Sequence, residues 1–107
     1  MAGIKQRLEE ELSYELNSYW RNLVRLAELK RMSHTMTIKD NAGFSSKYDF
    51  LTSNKNESEY LIRRLILISN PKADGSIVEE LMYNQLDEDR IEKIRERAHK
   101  RFIAFFK

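Results

Sequence analysis

Residues 4–32 read IKQRLEEELSYELNSYWRNLVRLAELKRM, a stretch that contains neither proline nor glycine. Its leucine and tyrosine residues recur at alternating steps of four and three, which keeps their side chains on one face of an α-helix; they are Leu12, Leu16, Tyr19, Leu23 and Leu26. The pattern predicts one long helix over about 4–32. At ~1.5 Å per residue such a helix extends roughly 43 Å, which exceeds the width of a small domain.

The apolar face of this helix changes width along its length. In the first half it is a narrow seam among glutamates, typical of a contact with one other helix, and consists of Leu8, Leu12 and Leu16. In the second half it is broadened by Trp20, Val24 and Ala27. We therefore expect the second half, with Trp20, to enter the core. The first half pairs either with a helix of the same chain or with a second copy.

The segment after this helix interrupts the helical pattern. Residues 33–54 are rich in Ser, Thr, Asn, Asp and Lys, which predicts a long polar loop. Several of its residues are too apolar for a flexible linker: Met36, Ile38, Phe44, Tyr48, Phe50 and Leu51. We expect part of the loop to dock on the core or to form a short hairpin around residues 41–43. Disorder and binding of a partner are the alternatives.

Three shorter helices are expected in the rest of the chain. Asn56 and Ser76 are each followed three residues later by a glutamate, the spacing of a capping box, and Asp87 opens an acidic turn that favours a helix start. The predicted helices lie near 56–69, 77–85 and 88–106. The first of them is apolar almost all round and is expected to be the most buried element. In the second, the side chains predicted to face inward are Ile77, Val78, Leu81 and Met82.

Length and composition favour a single all-α domain over residues 1–107, a small bundle of about four helices. The chain is 41% hydrophobic and contains three glycines and one proline, which is more typical of helices than of a turn-rich β-structure. It has no cysteine, which fits a reducing compartment such as the cytoplasm. No apolar run approaches the ~18 residues of a membrane span.

The residues required for common enzyme chemistry are missing. The two histidines, His34 and His99, stand in no catalytic motif and are predicted to lie on the surface. Glu96 and His99 have the spacing of a helical metal site, but cations surround them and would repel a metal ion. No glycine-rich phosphate loop is present. We expect no catalytic residues, no metal, no cofactor and no small-molecule substrate.

Charge is segregated near the C-terminus. Residues 76–89 carry no Lys or Arg and five acids, whereas residues 90–107 carry seven Lys or Arg and two acids. The last helix has an apolar stripe and an opposite basic face that could contact phosphates, formed by Arg90, Lys93, Arg97, Lys100 and Arg101.

Two functions are compatible with this pattern. The preferred expectation is a regulatory or assembly protein that acts through helix-mediated contact with another protein. This other protein can be a second copy of the chain. In that case a coiled-coil homodimer is expected to form through Leu8, Leu12 and Leu16. The alternative is a small nucleic-acid-binding protein that uses the basic face of the last helix.

Overall fold

Four helices make up the part of the protein that the structure describes. A computed structural model describes residues 2–35, 41–83 and 87–106, and no strand occurs in these ranges. The helices are α1 (Ala2–Thr35), α2 (Gly43–Ser69), α3 (Gly75–Tyr83) and α4 (Glu88–Phe106). The predicted all-α bundle with a long N-terminal helix is confirmed.

Helix α1 runs the length of the molecule and organises the other helices. Its 34 residues extend roughly 51 Å at ~1.5 Å per residue, which matches the 52 Å long dimension of the protein. Helix α2 packs against it in the antiparallel direction. Ser58 lies beside Ser18, with 3.4 Å between the hydroxyl oxygens, and the Tyr48 ring lies beside Lys30.

Helix α4 lies along α1 in the parallel direction. Near its start Arg90 donates a hydrogen bond to the side chain of Asn17. Farther along, His99 meets Glu28, with 2.7 Å between Nδ1 and Oε1. From the first contact to the second, the residue numbers rise on both helices. The helices are therefore parallel, and one side of α4 packs along the second half of α1.

The prediction of a long loop over residues 33–54 is wrong for most of these residues. Residues 33–35 end α1, and residues 43–54 are helical, so neither a hairpin at 41–43 nor a helix start at Asn56 occurs. The physical reason is packing: Leu51 is buried, and Phe44 and Tyr48 lie on the same helical face and pack against the core. Burial of that face outweighs the weak helix propensity of Ser, Thr and Asn. Met36 and Ile38 lie outside the described residues.

The core has two clusters, one at each end of the buried part of α1. The first joins α1, α2 and α3 and contains Leu16, Tyr19, Trp20, Ile62, Ile66, Val78 and Met82. Within it the Trp20 indole N–H donates to the backbone carbonyl of Met82, which attaches α3 to α1. Trp20 is 6% exposed, as predicted. The second cluster joins α1, α2 and α4 and contains Leu26, Leu29, Met32, Leu51, Ala98 and Phe102.

Several side chains predicted to be buried are exposed. Ala27 faces solvent, and the buried residue beside it is Glu28. Ile77 is exposed, whereas Val78 and Met82 are buried; the side chain of Leu81 and the predicted end of this helix near Gln85 lie outside the described part. Helix α2 is not buried all round, because α4 packs along α1 and leaves one face of α2 in solvent. That face includes Tyr60, Leu67 and Ile68.

The helix starts follow local capping. The carboxylate of Asp87 accepts a hydrogen bond from the Arg90 backbone N–H at 2.7 Å, which confirms the predicted cap of α4. The cap of α3 is Asp74 and not Ser76, since the Asp74 carboxylate accepts from the Ile77 N–H at 3.1 Å.

Replacing Trp20 with alanine is expected to lower the free energy of unfolding by about 3–5 kcal/mol, because a large buried side chain leaves a cavity between α1 and α3. Urea denaturation followed by circular dichroism measures this loss. Tyr14→Ala, at a position of the same helix that is 71% exposed, is the control and is expected to change stability by less than about 0.5 kcal/mol. Equal stability of the two variants would show that Trp20 does not hold the core together.

Candidate anion-binding groove

A concave groove of about 370 Å³ lies between α1 and α4. Six of its nine lining residues are cations: Arg21, Arg25, Arg90, Lys93, Arg97 and Arg101. The other three are Asn17, Ile94 and Ala98, so no acid of the described ranges lines the groove. We call this surface the cationic groove.

The cations form two rows because each helix repeats them at the helical spacing. Arg21 and Arg25 stand one turn apart on α1. On α4 the cations follow one another at steps of three or four residues from Arg90 to Arg101. That row covers roughly 16 Å at ~1.5 Å per residue. Because the two helices pack in parallel, the charged face of α1 and the charged face of α4 form the two walls of one linear groove.

The cations of the groove have no acidic partners in the described part of the chain. The ion pairs there join Glu28 to Arg31 and His99, Glu59 to Arg63, and Glu92 to Arg95. Arg90 is held in place differently. It donates to the side chain of Asn17, and its guanidinium lies 5.7 Å from the centre of the Trp20 ring. This cation–π contact positions Arg90 at one end of the groove.

The pKa of Arg25 shows that its protonated form is destabilised in this arrangement. Burial, followed by the charges of Arg101 and Arg21, lowers the pKa of the Arg25 guanidinium below its ordinary value. Arginine nevertheless stays protonated at neutral pH. The groove therefore holds like charges that repel one another across its walls, and a bound anion would relieve that repulsion.

A buried carboxylate sets the position of α4 beside the groove. The Glu28 side chain is fully buried and accepts hydrogen bonds from Arg31 Nε at 2.9 Å and from His99 Nδ1 at 2.7 Å. Burial would raise the pKa of Glu28, but the hydrogen bonds and charges of Arg31 and His99 outweigh it, and the pKa is lowered. The prediction of His99 as a purely surface residue missed this contact, which joins α1 to α4.

The structure brings together most of the predicted phosphate-contacting residues. Arg90, Lys93, Arg97 and Arg101 line the cationic groove, whereas Lys100 lines a separate depression that also includes Glu28 and His99. Sequence reasoning missed the α1 wall. The available signal was Arg21 and Arg25, two arginines one turn apart beside the widened apolar face of the first helix.

The leucine seam predicted as a protein interface faces α2. Leu16 is buried in the first core cluster, and Leu12 packs against that cluster. Leu8 is half-buried and lines a cleft together with Ile68 near the end of α2. Within the chain, α2 therefore supplies the partner helix for Leu12 and Leu16.

Comparison with known proteins gives no family for this chain, since no family model, no curated protein and no solved structure matches it. Over residues 2–35, 41–83 and 87–106, no helix combines the length and the apolar character needed to cross a membrane. The same ranges contain no group of three or more His, Asp or Glu placed to hold a metal ion.

We expect Glu28→Gln to lower the free energy of unfolding at pH 7 by about 1.5–3 kcal/mol, the range for hydrogen bonds to charged groups. The pKa of Glu28 in the folded protein lies below the ordinary value of 4.5. Its ionised form therefore contributes stability above that pH, and the contribution is lost as the pH falls through the folded-state pKa. Urea titrations from pH 7 to about pH 3 should show a steeper acid loss in wild type than in Glu28→Gln. Parallel curves for the two proteins would contradict the assignment, and the exposed Glu10→Gln is the control.

Proposed function

We propose that this chain is a non-enzymatic protein that binds the phosphate backbone of nucleic acid in the cationic groove. One observation carries the proposal: six cations from two helices line one groove, and no acid stands among the described residues that line it. A solvated charged helix face would instead spread its cations over a convex surface with acids between them.

The chemistry and length of the groove favour phosphate. Five of its six cations are arginines, whose planar guanidinium groups bind phosphate oxygens through two parallel hydrogen bonds. One strand of duplex DNA carries a phosphate every ~3.4 Å of helix axis. Successive phosphates also wind around that axis and lie farther apart through space than this rise, so the α4 row, roughly 16 Å long at ~1.5 Å per residue, spans about two or three of them. Release of their counterions would drive binding.

Apart from its cations, the groove offers few contacts to bases. None of its nine lining residues is aromatic, and the Oδ1 atom of its one amide side chain, Asn17, already accepts a hydrogen bond from Arg90. Helix α4 also begins with Glu88 and Asp89, so its N-terminal residues would be repelled from phosphates in the position that a recognition helix occupies. The proposal is accordingly binding with little dependence on base sequence. A cytoplasmic location, where nucleic acid is accessible, belongs to the same proposal.

Contact with another protein is the second candidate function. It is favoured by large apolar side chains that stay exposed on α1 and α2, including Ile4, Tyr60, Leu67 and Ile68. Such residues anchor many protein interfaces. A regulatory or assembly role through these surfaces is compatible with nucleic-acid binding, because the cationic groove does not include them.

The test is the salt dependence of nucleic-acid binding. Fluorescence anisotropy with a short duplex DNA, measured at several salt concentrations, should show log affinity falling steeply with log salt. The double variant Arg25→Gln, Arg97→Gln removes one cation from each wall. It should flatten the slope by ~1.8, or ~0.9 for each lost phosphate contact on duplex DNA.

The matched control variant also removes two arginine charges, but from positions outside the groove. Arg7 and Arg64 are exposed and do not line the groove, so Arg7→Gln, Arg64→Gln should keep the wild-type slope. Circular dichroism verifies that both double variants stay helical. Equal slopes for the groove variant and the control would reject the groove as the binding site. No salt-dependent binding by wild type would reject the function itself.

A further inference from the structure

A second surface lies at the opposite end of the molecule from the Glu28 contact. The first turns of α1 project past the end of α2, and a cleft of about 300 Å³ lies there, lined by Ile4, Lys5, Leu8, Glu9, Ile68 and Ser69. Ile4 is 63% exposed and Ile68 is 57% exposed. We call this surface the N-terminal cleft. Exposed apolar side chains grouped beside a concave surface are a common feature of contact sites.

The charges on the cleft are self-complementary. Lys5 and Glu9 stand one helical turn apart beside the apolar side chains, and neither forms an ion pair within the described ranges. A two-fold axis through such a patch reverses the direction of the second α1. Lys5 of each copy then faces Glu9 of the other, and Ile4 and Ile68 meet near the axis. A two-fold interface requires this kind of self-complementarity.

Other occupants fit less well. A phosphate-bearing ligand would be repelled by Glu9 and by the neighbouring Glu10 and Glu11. A strongly acidic or strongly basic partner would satisfy only one of the two charges that line the cleft. A second copy satisfies both charges and covers the apolar residues at once.

We propose that two copies of this chain associate through the N-terminal cleft, with their α1 helices antiparallel. The contact differs from the leucine seam, because Leu16 belongs to the first core cluster, Leu12 packs against that cluster, and only Leu8 is shared. The cationic groove is lined by other residues and stays open in the dimer.

Sedimentation velocity over about 1–500 µM, a range that brackets a weak to moderate dimer, tests the proposal on nuclease-treated protein. Wild type should change from the 12.8 kDa monomer towards twice that mass. Ile68→Glu should raise the dissociation constant by at least about tenfold, because it buries an unpaired charge. Tyr14→Glu, on an exposed part of α1 that does not line the cleft, should have no effect.

Exchanging the charges of Lys5 and Glu9 tests whether these two residues pair across the interface. Lys5→Glu alone and Glu9→Lys alone each place like charges opposite one another and should weaken association. The double exchange Lys5→Glu, Glu9→Lys should restore it, and an equimolar mixture of the two single variants should associate more tightly than either alone. A monomer at all concentrations would overturn the proposal. So would association that the exchanges leave unchanged or that Tyr14→Glu abolishes.

Discussion

The arrangement of α1 and α4 depends on one buried carboxylate. Glu28 has no access to solvent, and a charge in that position is costly unless hydrogen bonds and opposite charge compensate it. Arg31 supplies compensation from the same helix and His99 supplies it from α4. Next to His99, the small side chain of Ala98 is buried in the second core cluster. These contacts hold α4 close along α1 and fix which faces of the two helices meet.

The cationic groove follows from that placement. On α1, Arg25 lies one turn before Glu28, and on α4, Arg97 and Arg101 flank Ala98 and His99. Pinning the helices at Glu28 therefore brings arginines from both against the same space. Burial of Arg25, followed by repulsion from Arg101 and Arg21, lowers its pKa, and this cost is offset by the packing of the second cluster. Like charges held together at the expense of stability are typical of binding sites. The net charge of only +2 means that the positive field is local to the groove.

Prediction from the sequence succeeded where one helical period persisted and failed where tertiary packing decided. The pattern of α1 and the Asp87 cap of α4 were strong local signals, and Trp20 was correctly placed in the core. The start of α2 was missed because Phe44, Tyr48 and Leu51 are separated by polar residues that favour turns. Half of the groove was predictable, since the basic face of α4 is a property of one helix. The roles of Arg21, Arg25 and Glu28 depend on which faces of α1 and α4 pack together. The periodicity of a single helix does not predict how it packs against another helix.

We propose that both walls of the groove contact the same phosphate backbone. This can be tested by titration with a short oligonucleotide, followed through the Nε–Hε resonances of the arginines by heteronuclear NMR. The resonances of Arg21 and Arg25 should shift together with those of Arg97 and Arg101 and report one dissociation constant, while those of Arg7 and Arg64 stay unchanged. Shifts confined to the arginines of α4, or spread evenly over all arginines of the chain, would contradict it.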